Sequence, residues 1–427
     1  MKKLSEFTTI DQRRKTLTND LGISLKNISS SSLSEEETRN RNIENLIGTT
    51  QIPLGIAGPL KIHNSEFIIQ NYYIPLATTE GALVASVNRG CKAINESGGV
   101  NTFVENVGIT RGPVFKTKSL SCSFQLVKWI EDHFDDLVRV SQETSHHLKL
   151  LKIMPQIVGK HVFLRISYDT DQAMGMNMAT IATDQISEYI KQQTGCDCLA
   201  LSANACVDKK PAWSNFILGR GRKAWAEVII PQKVVIDVLK TTPEKIYEVW
   251  LSKCLIGSAV SGSMAFNSHF ANIIAAIFCA TGQDLAHVVE GSLGITTMEM
   301  VDEAARYKFS HSASLGKLKS TALARSHNTR IESGVSAELS KIVTSRPLNS
   351  LYISVYLPDL IIGTIGGGTG LPTQKEALAI IFAKDKPDSD IFSQVIAGAV
   401  LAGELSLLAS LAEGSLACSH QRLGRGK

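Results

Sequence analysis

The sequence predicts an α+β fold in which a compact unit over residues 113–201 is inserted into a larger helix-rich domain. Apolar residues recur three and four positions apart over 78–94, as on the buried face of a helix. Further helices are predicted over 132–152, 181–193, 243–281 and 394–412. Strands are predicted over 114–127, 162–168, 223–231 and 351–357. The glycine-rich segments lack the strand–GxGxxG–helix context of a Rossmann domain, so a dinucleotide site would need another architecture.

The remaining segments set the domain boundaries. Residues 1–43 are polar and predict a small helical segment, and the Gly- and Pro-rich lead-in that follows begins the large domain. That domain comprises 44–112 and 202–427. Residues 302–349 are rich in Ser, His, Lys and Arg with weak periodicity, which indicates an insertion without regular structure. A loop near a cofactor or a subunit contact are the alternatives for this stretch.

Composition excludes several classes of protein. Hydrophobic residues make up 44% of the 427 and charged residues 20%, which suits a large buried core. A net charge of +4 gives no reason to expect nucleic acid. The eight cysteines are scattered without zinc spacing, so we expect free thiols and no metal. The N-terminus lacks a signal-peptide core, and the longest apolar stretch is too short to span a bilayer, which predicts a cytoplasmic protein.

Three short segments are candidates for chemistry. Glu80 follows two threonines at a predicted helix start, where a carboxylate also simply offsets the helix dipole. Lys209 and Lys210 follow Asp208 among apolar neighbours, although paired lysines usually belong to a solvated surface. His420 lies in the small-residue segment ACSHQ, where a structural or exposed histidine is the alternative. None of the three identifies a reaction by itself.

Taken together and in order, longer motifs carry a resemblance. They are ENLIG, PLATTEGALVASVNRGCKAI, QAMGMNM, DKKPAW, GRGRKAWAEVIIP, GSAVSGSMAFNSHFANI, GQD, GTIGGGTG and GELSLLASLAEGSLACSH. From about residue 44 to 420 the chain resembles the hydroxymethylglutaryl-CoA (HMG-CoA) reductases, and ENLIG, DKKPAW and GTIGGGTG are more similar to their class I branch. The resemblance implies reduction of HMG-CoA to mevalonate and CoA with two NADPH, by a soluble catalytic portion whose inserted ferredoxin-like domain holds the nicotinamide cofactor.

The resemblance also implies four catalytic residues: Glu80, Lys209, Asp284 and His420. A fixed lysine stabilises the negative charge that forms on a thioester oxygen. A protonated glutamic acid can deliver a proton to that oxygen, and the aspartate would hold the lysine charged and tune the glutamate. A histidine can protonate the departing CoA thiolate.

Substrate and cofactor residues are implied in the same way. The substrate-binding positions are Arg111, Ser202, Asn204, Asp208, Lys210, Lys253 and Asn272, with Ser86, Asn88 and Arg89 toward coenzyme A. The cofactor-binding positions are Ser145, Asp171, Met174, Gly175, Met176, Asn177, Met178, Gly366, Gly367 and Gly368. The family places its active sites between subunits, with the ENLIG segment at the interface, which implies a homodimer or homotetramer.

The sequence departs from the family pattern in places that bear on the hydride donor. Gln172 stands where the family usually has Asp, and His146 replaces the arginine that would grip the 2′-phosphate of NADPH. Lys149 or a histidine is the candidate substitute, so NADH stays open beside NADPH. The seven residues after His420 contain no serine that could carry the phosphorylation known in animal members. Two alternatives follow: an NAD-dependent enzyme that oxidises mevalonate, and a weakly active homologue with a regulatory role.

Overall fold

Ten strands form a mixed sheet system in the computed structural model, which describes residues 9–21, 33, 42–64, 68–302, 349–383 and 385–415. The strands are β1 Leu54–His63, β2 Ile69–Ala77, β3 Val100–Arg111, β4 Val114–Lys116, β5 Lys149–Val158, β6 His161–Asp169, β7 Asp197–Ala200, β8 Gly221–Ile230, β9 Ile295–Val301 and β10 Ser350–Leu360. The pairing of β1 with β3 is parallel, and the other ladders are antiparallel.

Helices cover these strands. The α-helices of six residues or more are α1 Ile10–Leu21, α2 Leu83–Glu96, α3 Leu120–Asp132, α4 Phe134–Gln142, α5 Met176–Thr194, α6 Trp213–Leu218, α7 Pro243–Trp250, α8 Phe270–Thr281, α9 Pro372–Phe382 and α10 Ser389–Glu413. The other helical segments are Gln232–Val234, Val235–Leu239, Leu251–Gly257, Ser258–Ser261, Leu285–His287, Val288–Gly291 and Gly367–Gly370. The first 43 residues contribute α1, and 303–348 of the expected insertion lie outside the described residues.

The long strand β3 connects two sheets. From Asn101 to Gly108 it pairs with β8, and from Ile109 to Arg111 it pairs with β6. The change of partner occurs at Gly108, whose φ of 80° is one that a side chain rarely adopts. A Cβ at this glycine would lie 2.7 Å from the carbonyl oxygen of Tyr168, so the switch requires glycine on steric grounds too.

Two hydrophobic cores lie on either side of this strand. The larger core packs α2, α8 and α10 against the sheet that contains β8 and β10. The smaller core lies between the helices α3, α4 and α5 and a sheet whose strands run in the order β5-β6-β4-β7. Ile109 and Ile361 belong to the smaller core although both lie outside residues 113–201.

Helix α10 is the centre of the larger core. The expectation that the longest apolar stretch is too short to span a bilayer is wrong for this helix. Among the described residues it is the one helix long and apolar enough to cross a membrane, but 83% of its most apolar stretch is buried inside the fold. It packs on α2, α7, α8 and the sheet, as the core helix of a water-soluble protein does. We therefore assign its hydrophobicity to packing.

Two predicted elements of the inserted unit are wrong in part. The strand expected over 114–127 ends at Lys116, and helix α3 begins after Ser119, whose hydroxyl caps the backbone N–H of Cys122. The helix expected over 132–152 stops in α4, and the chain then pairs with β6 from Lys149 onward. In both places a local cap or a long-range ladder outweighs the apolar pattern.

Replacement of Gly90 tests the contact between α2 and α10. A Cβ there would lie 1.9 Å from the carbonyl oxygen of Ala402, so Gly90→Ala must push the two helices apart. We expect the free energy of unfolding, measured in urea, to fall by about 1–3 kcal/mol. Gly370→Ala is the control, because a Cβ there meets no atom within 4 Å. Equal stability of the two variants would contradict this packing.

Candidate active site

The ammonium group of Lys209 forms an ion pair with Asp284. Its Nζ lies 2.7 Å from Oδ2 of Asp284, and both side chains are partly exposed. Asp284 follows α8 and caps the turn Leu285–His287, where its Oδ1 accepts a hydrogen bond of 3.0 Å from the Ala286 N–H. Burial alone would raise the pKa of Asp284, but hydrogen bonds from Lys209 and Ala286 and the charges of His287 and Lys209 lower it below its ordinary value. The pair is therefore a charged lysine beside a carboxylate.

Glu80 is held at the other end of α8. Its Oε1 accepts a hydrogen bond of 3.2 Å from Nδ2 of Asn272, in the first turn of that helix. Glu80 does not open a helix as expected, because α2 begins only at Leu83, after Ala82 in a left-handed conformation. Among the described residues no hydrogen bond or ion pair joins Glu80 to Lys209 or Asp284. The structure thus forms two separate pairs, Lys209 with Asp284 and Glu80 with Asn272, at opposite ends of α8.

A buried group of charges lies behind Lys209. Glu290 is fully buried, and its Oε1 accepts from the Lys209 backbone N–H at 2.6 Å and from Nη1 of Arg220 at 2.9 Å. Arg220 is also fully buried, and its Nη2 lies 2.9 Å from Oδ1 of Asp208. Nδ1 of His287 lies 3.2 Å from Oε2 of Glu290. These contacts fix the loop that carries Lys209, which has a φ of 58°.

The carboxylates of this group are already neutralised by a protein cation. Ligand atoms of Asp208, His287 and Glu290 lie within 4.8 Å of one another, a spacing that would suit a metal ion. The guanidinium of Arg220 contacts both carboxylates, so a positive charge of the protein itself occupies this position.

Several predicted substrate residues converge beside Lys209. Nη1 of Arg111 lies 3.5 Å from Oγ of Ser202 and 3.8 Å from Oδ2 of Asp208. Lys210 donates from Nζ to the backbone carbonyl of Asp208 at 3.2 Å. Asn204 adopts a φ of 59° in the same loop. The result is a polar, partly exposed group of cations and hydroxyls that suits a small carboxylic acid.

The other predicted substrate residues lie elsewhere. Lys253 is exposed on the π-helical turn Leu251–Gly257. Ser86 and Arg89 on α2 bond Ser406 on α10, each at 3.0 Å between the side-chain atoms. Asn88 accepts from the backbone N–H of Gly58 at 3.1 Å. In this structure these three residues of α2 fasten it to its neighbours.

Two predicted cofactor loops lie side by side. The bridge of Ala173 to Ile365 joins them, and a Cβ at Gly363 would lie 2.3 Å from the backbone nitrogen of Met174. Gly366 and Gly367 have φ values of 81° and 55°, and a Cβ at either would meet nothing within 4 Å, so both face open space. A ligand can therefore approach this backbone closely.

The rest of this region surrounds the start of α5. Gly175 begins the helix with a φ of 82°, Asn177 is exposed in its first turn, and Met174, Met176 and Met178 border the smaller core. Oγ of Ser145 contacts the sulfur of Met178 at 3.8 Å, Asp171 is exposed, and Gly368 packs on Gly282.

Gln172 fastens the cofactor loop to α10. Its Oε1 accepts from the Ser389 N–H at 2.6 Å, and its backbone carbonyl accepts from the Thr364 N–H at 2.8 Å. Arg222 supports the same junction, with Nε 2.6 Å from Oδ1 of Asp390 and Nη2 3.1 Å from the carbonyl oxygen of Asp171. The Gln172 side chain thus completes the junction between this loop and α10.

Sequence reasoning missed Arg220, His287 and Glu290. All three are buried, so no exposed polar pattern marks them. The spacing of three between His287 and Glu290, just after GQD, was the available signal, because it places both on one face of a turn. His420 lies outside the described residues.

Comparisons with known proteins point in one direction. A model of the hydroxymethylglutaryl-coenzyme A reductase family matches residues 9–425. The 3-hydroxy-3-methylglutaryl-coenzyme A reductase of Methanothermobacter thermautotrophicus is 44% identical over 415 residues, which cover 97% of this chain and 93% of that protein. The enzyme of that name from Aeropyrum pernix is 46% identical over 421 residues, 97% of this chain and 89% of that protein.

A solved structure shares the fold. It is the class II 3-hydroxy-3-methylglutaryl-CoA reductase from Streptococcus pneumoniae bound to NADPH in open conformations, with a TM-score of 0.63 and 15% identity. The match covers 96% of this chain and 98% of that one.

Asp359 on β10 interacts electrostatically with Glu290 and Arg220, so its replacement tests the electrostatics of the buried group of charges. Burial raises the pKa of this carboxyl to about 8, with a further contribution from Glu290. In the unfolded chain it titrates near 3.9, about its ordinary value, so the folded protein binds more protons between about pH 4 and about pH 8. Wild-type stability must therefore fall as pH rises through this window, and Asp359→Asn should remove that fall.

The measurement is the free energy of unfolding in urea at about pH 5 and about pH 8. The difference between Asp359→Asn and wild type should shift in favour of the variant at the higher pH. Asp237→Asn is the control, since that exposed carboxylate has a lowered pKa and stays ionised throughout. If the free energies of unfolding of wild type and Asp359→Asn changed in parallel with pH, the pKa of Asp359 would not be raised in the folded protein.

Proposed function

The chain belongs to the hydroxymethylglutaryl-coenzyme A reductase family, and we propose that it reduces HMG-CoA to mevalonate and CoA with two NADPH in the mevalonate pathway of isoprenoid biosynthesis. The observation that carries the proposal is the ion pair of Lys209 with Asp284, beside the group of Arg111, Ser202 and Asp208. The ammonium group of Lys209 therefore lies next to a group of polar side chains that suits a carboxylic acid.

Each polar residue of the site has a task in this reaction. Reduction of the thioester builds negative charge on the carbonyl oxygen. The ammonium group of Lys209 stabilises that charge, and the ion pair with Asp284 holds the ammonium group in place. Glu80, oriented by Asn272, delivers the proton to that oxygen. His420 protonates the CoA thiolate as it leaves. A second reduction then converts bound mevaldehyde to mevalonate.

Substrate contacts follow from the same arrangement. Arg111 and Lys210 bind the carboxylate of the HMG group, with Ser202, Asn204, Asp208 and Asn272 as hydrogen-bonding partners of the rest of the group. Lys253 lies apart from them in this structure, and its substrate-binding role rests on the resemblance alone. Ser86, Asn88 and Arg89 contact coenzyme A. The bonds of Ser86 and Arg89 to Ser406 support this role by orienting that face of α2.

NADPH supplies the hydride in both steps, and the two adjacent loops fit it. The open backbone at Gly366 and Gly367, with Gly368 behind, admits close approach of a dinucleotide beside the loop 174–178 and Ser145. Connectivity β–α–β–β–α–β with strand order β5-β6-β4-β7 supports a ferredoxin-like cofactor domain over 113–201, distinct from a Rossmann fold. Asp171 and His147, whose Oδ2 and Nδ1 lie 3.7 Å apart, border this region.

The enzyme in this proposal is a class I-like, cytoplasmic homodimer or homotetramer with active sites between subunits. The motif pattern and the burial of α10 support these points. NADH is the alternative donor, because the position of His146 lacks an arginine for the 2′-phosphate.

Purified protein with HMG-CoA, assayed by loss of nicotinamide absorbance with NADPH and NADH side by side, tests the function. We expect turnover with NADPH to exceed that with NADH. Equal or faster turnover with NADH would overturn the choice of donor. Folded protein that oxidises neither would overturn the reductase function and favour the regulatory alternative.

Replacement of Lys209 tests the oxyanion role. We expect Lys209→Ala to lower kcat by about 100- to 1,000-fold or more, because one preorganised donor contributes about this much. Lys233→Ala is the control, since that lysine is exposed on the surface and pairs with Asp237. Circular dichroism should show that both variants are folded. Retention of most activity by Lys209→Ala would exclude this lysine as the oxyanion donor.

Replacement of His420 tests the protonation of the leaving thiolate. His420→Gln should slow HMG-CoA reduction more than the reduction of free mevaldehyde, since only the first reaction releases CoA. The two rates are measured on the same preparation under the same conditions. Equal loss in both assays would rule out the thiolate role.

A further inference from the structure

Glu290 controls the backbone conformation of the catalytic lysine. It accepts hydrogen bonds from the Lys209 N–H, Arg220 and His287, and no part of it reaches solvent. The left-handed φ of Lys209 is unfavourable for a residue with a side chain. A buried carboxylate that accepts from this N–H offsets that cost, because charge-assisted hydrogen bonds are strong.

His287 stands between Glu290 and Asp284. The ring is buried, and Nδ1 faces Glu290 at 3.2 Å, which places a proton on Nδ1 because the ionised carboxylate can only accept. Nε2 is buried without a hydrogen-bond partner and lies 3.8 Å from Oδ2 of Asp284. This is the oxygen that contacts Nζ of Lys209 at 2.7 Å. The ring thus approaches the ion pair from the protein side.

Charged groups surround the ring. Carboxylates face it from three places: Asp284 before its own turn, Glu290 after it, and Asp208 in the loop of Lys209. Two cations pair with these carboxylates: Lys209 on that loop pairs with Asp284, and Arg220 before β8 pairs with both Glu290 and Asp208. Arg165 on β6 and Asp359 on β10 lie beyond, next to Arg220 and Glu290. Each ring nitrogen therefore faces a carboxylate.

We propose that His287 and Glu290 are positioning residues for Lys209 and Asp284, an inference that rests on the proposed function. Glu290 sets the lysine backbone, and His287 faces the oxygen of Asp284 that contacts Lys209, so that its charge favours the carboxylate form of Asp284. The distance of 3.8 Å makes the attraction of His287 for Asp284 Coulombic, with no direct hydrogen bond. Neither residue touches the substrate in this arrangement.

His287→Asn separates the two contacts of the ring. An asparagine amide takes the position of Nδ1 and still donates to Glu290, but it leaves no charge facing Asp284. The Glu290–Arg220 pair is untouched, so the variant should fold. Without the charge of His287, which helps to lower the pKa of Asp284, that pKa should rise, and Lys209 should lose its ionised partner at a higher pH.

The readout is the pH profile of kcat for HMG-CoA reduction. We expect the acid limb of His287→Asn to move up by about one pH unit and kcat at the optimum to fall about 10-fold or more, while KM for NADPH stays unchanged. His161→Asn is the matched control, because that histidine lies on β6 in the smaller sheet and should move neither quantity. Glu290→Gln should lower kcat further, since it also removes the charge opposite Arg220.

The possible outcomes separate this inference from the function beneath it. Active wild type with an unchanged acid limb in His287→Asn would overturn the inference and leave the reductase function standing. A lower kcat with an unshifted limb and reduced stability in urea would assign His287 a structural role only, which also overturns it. Wild type without turnover would overturn the function itself, and the inference with it.

Discussion

The guanidinium of Arg220 joins parts of the chain that are far apart in sequence. It is fully buried, and it donates to Thr110 on β3 and to Glu290 after α8, and pairs with Asp208 in the loop of Lys209. Removal of one member of a buried ion pair typically costs about 3–5 kcal/mol, because the remaining charge is left without water or a partner. This group therefore sets the geometry of the loop, and with it the position of Lys209, more strongly than any surface contact could.

The same principle of shared anchoring connects the two cores. Strand β3 begins in the larger sheet and ends in the smaller one, so the smaller core cannot shift without moving the strand that carries Thr110 and Arg111. Gln172 and Arg222 make a second connection, because both bond the first residues of α10. The predicted cofactor loops and the lysine loop are thus fixed to one framework, which suits a reaction that requires alignment of two bound molecules.

Several elements could be predicted from local pattern alone, and others could not. The spacing of apolar residues located α2, because a buried helix face needs that period. Helix α5 was also expected, and a continuous apolar stretch located α10, which is buried on almost every side. Pattern failed after Lys116, where Ser119 caps a helix in a stretch that alternates like a strand, and at Lys149, where pairing with β6 selects extended chain. It also placed the start of α2 too early, since the residues after Glu80 form a turn that ends at Ala82 in a left-handed conformation.

The sequence by itself determined the family of this protein, because its motifs stand in one order along the chain, and it identified the residue types that the chemistry needs. Only the tertiary structure decided which of them meet. It paired Lys209 with Asp284 and Glu80 with Asn272, and it placed His287, Glu290 and Arg220 behind the lysine. The physical reason is that a buried charge must be paired with other polar groups. Those groups come from strands and turns that are distant in sequence, so no local pattern shows that they lie close together.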